Sequence, residues 1–196
     1  MGNLLFRYRS FTPAPLGLLL IWQARVTWPE LIGGLLIMAA GEYIRLTALR
    51  ASGKATRTRR VGARRLVTWG LYGHTRNPLY IGNFLLWLGA VLFAGGDWQY
   101  WMLALVVAWF LLQYALIISL EETTLLDLFG GDYEEYRRTV PRILPRLRRP
   151  ARQRELATAP PEGLHSWWYA FESERSTLAV VTVVLLAAWL STYLNQ

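Results

Sequence analysis

Apolar residues gather into five stretches along this 196-residue chain, at 13–27, 30–49, 79–96, 98–120 and 177–194. Crossing the roughly 30 Å hydrocarbon core of a bilayer takes about twenty mostly apolar helical residues. The pattern therefore predicts one all-α membrane domain, a polytopic transmembrane helical bundle of about five spans. The stretches differ in strength. Residues 13–27 are short and opened by Pro13 and Pro15, so a re-entrant or interfacial helix would satisfy them as well as a crossing, leaving four. Residues 30–49 carry Glu42 and Arg45 near their end. Residues 79–96 and 98–120 are separated only by Gly95, Gly96 and Asp97, which predicts a tight helical hairpin with Trp98 and Trp101 at the interface.

The polar intervals add detail. Phe129-Gly130-Gly131 reads as a helix stop, and Asp132 as the cap of a following helix that carries Tyr133 and Tyr136 on one face. Pro150, Pro160 and Pro161 mark 150–163 as a linker. After it, Trp167, Trp168, Tyr169, Glu172, Glu174 and Arg175 read as an interfacial segment leading into an additional C-terminal span, so that 150–196 is an extension.

Composition supports a membrane domain: 54% of residues are hydrophobic, and ten Trp and ten Tyr suit the boundary between hydrocarbon and headgroups. Cysteine is absent and only His74 and His165 occur, so thiol chemistry is excluded and no metal site is expected. Arg7 and Arg9 precede a Leu-rich stretch as in a signal peptide, but no small-residue cleavage site follows, and the segment reads as retained. The net charge of +8 lies in blocks beside apolar runs, an arrangement suited to anionic lipid rather than nucleic acid.

Those blocks also orient the chain. Residues 50–65 hold seven Lys or Arg, 137–154 hold eight Arg, and no acid occurs between Glu42 and Asp97. Both blocks are expected in the cytoplasm and Asp97 outside, in the cell inner (cytoplasmic) membrane. Five spans then put the N-terminus inside and the C-terminus outside.

Three constellations could carry chemistry. Gly70-Leu71-Tyr72-Gly73-His74-Thr75-Arg76-Asn77-Pro78-Leu79-Tyr80-Ile81-Gly82 is a polar, glycine-bearing loop running into a span. Asn77 fits a cap and Pro78 a first helical turn, and such a helix start attracts anions. A plain capped helix with an interfacial Arg would look the same. Glu121-Glu122 follow a long apolar span, where acids at a helix C-terminus oppose the macrodipole unless a cation sits beside them. A bound sulfonium or ammonium group would serve, as would a neighbouring arginine. Tyr133 and Tyr136 could meet a purine or ribose, or simply pack on the membrane surface.

Taken in order, Gly70-x-Tyr72, Arg76-Asn77-Pro78-x-Tyr80-x-Gly82, Glu121-Glu122-x-x-Leu125, Phe129-Gly130-x-x-Tyr133-x-x-Tyr136 and Val140-Pro141-Arg142 to Pro145 resemble the isoprenylcysteine carboxyl methyltransferase and phospholipid methyltransferase superfamily. The resemblance covers residues 66–147, the expected catalytic core. It implies a helical membrane enzyme that holds S-adenosylmethionine in a cytoplasm-facing pocket while an amphiphilic methyl acceptor, such as a phospholipid amine or isoprenylcysteine-type carboxylate, arrives from membrane lipid. Carried over, Tyr72, Asn77, Pro78, Tyr80, Glu121, Glu122, Tyr133 and Arg142 would bind the cofactor. Arg76 would anchor a carboxylate or phosphate, and Glu122 or His74 would take a proton from an amine acceptor. The chain has no G-x-G-x-x-G run, so the dinucleotide-type methyltransferase fold is not expected. Arg76-Asn77-Pro78 replaces the Arg-His-Pro of the isoprenylcysteine branch and looks closer to the phospholipid enzymes, although their G-x-G has no clear counterpart. The competing reading is a non-enzymatic membrane scaffold or transporter subunit that binds headgroups through arginine.

Overall fold

A computed structural model describes residues 12–53, 65–146 and 164–194. The described residues are all-helical, with one isolated bridge between Arg25 and Gly95. Six α-helices follow in order: α1 (Ala14–Gln23), α2 (Trp28–Ser52), α3 (Pro78–Ala94), α4 (Gln99–Phe129), α5 (Gly131–Thr139) and α6 (Trp167–Leu194), with a 3-10 turn at Gly70–Gly73 before α3. The expected linker at 150–163 lies outside the described residues.

Local chemistry explains the boundaries. Pro29 lies in the first turn of α2, where the Glu30 carboxylate accepts from the Thr27 hydroxyl at 2.7 Å and amide at 3.3 Å. Gly95 and Gly96, with φ of 59° and 86°, make the α3–α4 turn that the sequence predicts. Helices α2, α4 and α6 are long and apolar enough to cross a bilayer, while α1 and α3 are shorter. At 1.5 Å per residue, the ten residues of α1 reach only about 15 Å, half the hydrocarbon thickness. The expected stretch at 13–27 is therefore not a full crossing. Its helix ends at Gln23, and the polar Gln23 and Arg25 turn the chain toward α2.

Three other expectations change. Helix α4 does not end at Glu121-Glu122. It runs 31 residues to Phe129, because the first helix-terminating residue is Gly130, with φ 53°. The two acids thus sit two turns inside the helix, and the macrodipole argument for a cation beside them lapses. Asp132 is not the cap of α5: Gly130 occupies that position and Asp132 lies in the first turn. Residues 167–175 are not a separate interfacial segment but the first turns of α6, which continues unbroken to Leu194.

The bundle has two distinct ends. At one, the Arg25 amide donates to the Ala94 carbonyl at 2.8 Å, Gln23 Nε2 to Gly95 O at 2.9 Å, and the Val26 amide to Thr192 Oγ1 at 3.1 Å. At the other, His165 N donates to Arg50 O at 2.9 Å and Arg50 Nε returns a bond to His165 O at 3.0 Å. The Arg50 guanidinium also lies 4.1 Å over the Trp167 ring. The described members of both basic blocks, Arg50, Arg65, Arg137, Arg138, Arg142 and Arg146, fall at this second end.

Helices α2 and α3 form the tightest contact, an antiparallel crossing in which Gly34 meets Gly89 and Gly41 meets Gly82. A β-carbon on Gly34 would lie 2.6 Å from the Gly89 carbonyl, and one on Gly41 2.9 Å from that of Gly82. Around this seam Leu20, Met38, Leu86, Val91, Val106, Phe110 and Ile118 make a continuous core. Replacement of Gly34 by Ala should destabilise the protein by about 1–3 kcal/mol in detergent unfolding, because backbone must move. Gly131→Ala, with nothing within 4 Å of the added carbon, should leave the midpoint unchanged.

Candidate active site

Helix α3 starts where the 3-10 turn hands Tyr72 and Gly73, both buried, to the polar run His74–Asn77. Pro78 occupies the first helical position, as the sequence predicts. Asn77 sits at the cap position, but its side chain makes no cap hydrogen bond. The Asn77 side-chain amide nitrogen instead donates to the Arg142 carbonyl at 2.8 Å, and the Asn77 backbone N–H donates to Thr75 Oγ1 at 3.4 Å. The expected capping role is thus replaced by a clasp on the segment after α5.

That segment is tied down along its length. Arg76 N donates to Pro141 O at 2.9 Å, Thr75 Oγ1 to Ile143 O at 2.9 Å, and Arg146 N to His74 O at 3.0 Å. His74 Nδ1 lies 2.6 Å from the Arg146 carbonyl. A carbonyl can only accept, so Nδ1 carries the proton. His74, a candidate base in the sequence, is thereby engaged as a latch.

At the centre lies a carboxylate between two guanidinium groups. Arg76 Nη2 is 3.0 Å from Glu122 Oε1, while Arg142 grips Glu122 through Nε at 3.1 Å and Nη2 at 2.9 Å, the latter also donating to Ser119 Oγ at 2.9 Å. Two arginines on one half-buried carboxylate leave this ion-pair cluster with a net positive charge. Among the described residues Arg76 Nε and Nη1 are buried without a hydrogen-bond partner, and only 10% of its side chain is exposed. Guanidinium donors of this kind can take up a carboxylate or phosphate oxygen.

Tyrosines enclose this centre. Tyr136 donates its hydroxyl to the Tyr72 carbonyl at 2.8 Å and packs beside Tyr133, with ring centroids 6.1 Å apart. Burial pushes the Tyr133 phenol up to about 12, with Glu122 adding to the rise and Arg76, Arg137 and Arg142 opposing it. Tyr72 is also pushed up to about 12, first by burial; the Ser52 hydrogen bond lowers it, Glu121 raises it and Arg45 lowers it. The Glu121 charge thus acts on Tyr72, while Glu122, one position on, is paired with the arginines. Tyr80 points along the α3–α4 seam, 4.5 Å between centroids from Tyr114, and belongs to the apolar core as much as to the site.

The sequence thus places Tyr72, Arg76, Asn77, Pro78, Glu121, Glu122, Tyr133 and Arg142 together at one end of the bundle. It gives no role to Thr75 or Ser119, and it offers Tyr136 for a purine or ribose rather than for the Tyr72 carbonyl that its hydroxyl meets. Thr75, adjacent to Arg76, carries a hydroxyl in the same loop; the other two carry no local signal for their partners.

Comparison with known proteins now bears on this arrangement. A model of the phospholipid methyltransferase family matches residues 29–132, just over half the chain. The chain belongs to the phospholipid methyltransferase family. Similar curated proteins are the protein-S-isoprenylcysteine O-methyltransferases of Schizosaccharomyces pombe, 32% identical over 55% of this chain and 46% of the relative, and of Homo sapiens, 30% identical over 61% and 45%. Arabidopsis thaliana protein-S-isoprenylcysteine O-methyltransferase B is 34% identical over 57% of each chain. The chain spans about half the length of these relatives. No solved structure matches it. The motif comparison that leans toward the phospholipid branch agrees with the family match, whereas the named relatives belong to the isoprenylcysteine branch.

The tyrosine environment makes a pH prediction. A phenol whose folded pKa lies above its ordinary value near 10 favours the protonated folded state. The stabilisation from Tyr72 and Tyr133 should be complete below about pH 10 and lost as pH rises through about 12. In an alkaline absorbance titration of folded protein, Tyr72→Phe and Tyr133→Phe should each remove phenolate signal that emerges near pH 12, not near 10.

Proposed function

We propose that this protein is an integral membrane methyltransferase that uses S-adenosylmethionine and acts on an amphiphilic acceptor, either a phospholipid amine or an isoprenylcysteine-type carboxylate. The observation that carries the reading is Arg76, held by Glu122 on one side and presenting buried, unpartnered Nε and Nη1 donors. A free amino-acid carboxylate fits those donors. The Glu121 carboxylate, beside Tyr72, offers a counter-charge for an ammonium or sulfonium. The residues present therefore fit the cofactor, and family membership supports the same reading.

When bound, S-adenosylmethionine supplies a methyl group on a positively charged sulfur, already activated for in-line displacement by an acceptor nitrogen or oxygen. The protein's share is positioning and exclusion of water. Arg76 holds the carboxylate end. Asn77, Thr75 and His74 pin residues 141–146 across the site, and Tyr133 and Tyr136 close its polar side. An amine acceptor must lose a proton before it attacks. Glu122 is held by Arg76 and Arg142 and His74 is latched to the Arg146 carbonyl, so the neighbouring Glu121 becomes the candidate base in their place. Glu122 orders the two arginines. The basic residues at this end favour a cytoplasmic orientation, in keeping with the distribution of Arg and Lys.

Calorimetric titration of detergent-purified protein with S-adenosylmethionine and its demethylated product tests the reading. The wild type should bind both, Arg76→Ala should weaken binding at least about tenfold, or ~1.4 kcal/mol, and Asn77→Ala should weaken it less. No binding by the wild type would sink the proposal. Lipid extracts incubated with methyl-labelled cofactor then separate an amine product from an ester.

A further inference from the structure

The second buried ionic cluster lies one to two turns below the site, at the depth of the spans. Arg45 of α2 is 6% exposed and Glu174 of α6 is fully buried, with Arg45 Nη2 2.6 Å from Glu174 Oε2. The same nitrogen is 3.4 Å from Thr177 Oγ1, Nη1 is held by Asn83 Oδ1 of α3, and Nε lies 3.7 Å from Glu42 Oε2. Ionised groups at such depth are costly and mark function more often than anchoring.

Stability does not explain the pair, because a buried ion pair commonly gives way to well-packed apolar residues with no loss of stability. Geometry suggests another reason. To reach Asn83 and Glu174, the Arg45 stem passes over Gly82, where an added β-carbon would lie 3.2 Å from Arg45 Cδ and 2.8 Å from the Gly41 carbonyl. Gly82 ends the run Asn77-Pro78-x-Tyr80-x-Gly82 that opens α3. Arg45 is thus strapped across the helix whose first turn carries the site. Its charge also acts on the Tyr72 phenol, against that of Glu121. Glu42, Arg45 and Asn83 lie within the family match at 29–132, whereas Glu174 lies beyond it, on the added C-terminal helix.

We propose that Glu174 is a positioning residue of the methyl-transfer site: from α6 it holds Arg45 across Gly82 and so fixes the loop and helix start, residues 70–83, against α2. The proposal rests on the methyltransferase reading for its kinetic consequence only. The C-terminal helix is then a working part of the enzyme, and residues 66–147 do not form a self-sufficient core.

The test uses the full chain in detergent, comparing wild type with Glu174→Gln and with the apolar pair Arg45→Met plus Glu174→Leu. Unfolding midpoint, backbone hydrogen exchange at 70–77, and methyl transfer to acetylated farnesylcysteine and to phosphatidylethanolamine vesicles are measured. The apolar pair should keep the wild-type midpoint or exceed it. Both variants should raise exchange at 70–77 and lower kcat about tenfold to a hundredfold, with KM for the methyl donor changed less than about threefold. Unchanged exchange at 70–77 in a folded apolar-pair variant, or its full kcat, overturns the proposal. If the wild type methylates neither acceptor, the exchange result still decides the role of Glu174, and the failure falls on the methyltransferase reading.

Discussion

The arrangement depends on how closely α2 and α3 approach. Inside a bilayer, lipid tails are as apolar as leucine, so burial alone gives helices little reason to associate, and close backbone packing takes its place. Gly34 and Gly41 on α2 face Gly89 and Gly82 on α3, two glycines on each helix seven residues apart, so antiparallel helices match them pairwise. This contact sets the depth at which α3 begins relative to the end of α2. It therefore sets where Pro78, Asn77 and Arg76 stand. It also opens the gap over Gly82 through which Arg45 reaches α6. One packing constraint serves both the site above and the ionic cluster below.

The second organising interaction is Glu122 between Arg76 and Arg142. Arg76 comes from the loop before α3, Glu122 from α4 and Arg142 from the segment after α5, so one carboxylate joins three parts of the chain. Had α4 ended at residue 121, Glu122 would lie in a loop and could not fix two arginines. The two further turns to Phe129 make the helix rigid at that point. They also carry the chain out to α5, which returns Tyr133 and Tyr136 to the site. The hydrogen bonds from Thr75, Arg76 and Asn77 to carbonyls at 141–143 then need no helix or strand in the closing segment; polar side chains of the loop do that work.

How legible this was in the sequence follows from the range of each signal. Span length, arginine blocks and the Gly95-Gly96 turn are local; α2 and α3 appear close to where hydropathy puts them, while α4 and α6 contain their apolar stretches but extend beyond them at the polar end. The site motifs are local too, and the fold brings Tyr72, Arg76, Glu121, Glu122, Tyr133 and Arg142 to one end. Partner choice was not legible. Asn77 before Pro78 has the residue type of a cap, yet its amide is used 65 residues away. Nothing near Glu174 announces a partner 129 residues earlier, and flanking Trp and Arg residues make its neighbourhood look interfacial. The end of α4 was misplaced because a run of polar residues after Leu120 resembles an exit from helix, while the backbone responds only to Gly130.

The charge order of the site bears on why both branches of the superfamily leave their mark on this chain. Arg76 and Arg142 share Glu122, which leaves excess positive charge and unpartnered donors on Arg76. Glu121, whose charge also acts on Tyr72, carries the opposite sign one position away from Glu122. On the proposed reading, a zwitterionic amino-acid group suits such a pair of poles whatever the acceptor is, which would put the features common to phospholipid and isoprenylcysteine enzymes on the donor side. The same reading would leave the choice of acceptor to groups on the membrane-facing side of the same helices. On that side this chain differs from a bare catalytic core, because α6 lies against α2 and α3 and places Glu174 on Arg45. An added helix at that position can alter acceptor selection without disturbing the donor poles, which is a physical reason for motifs of the core to persist while the rest of the chain diverges.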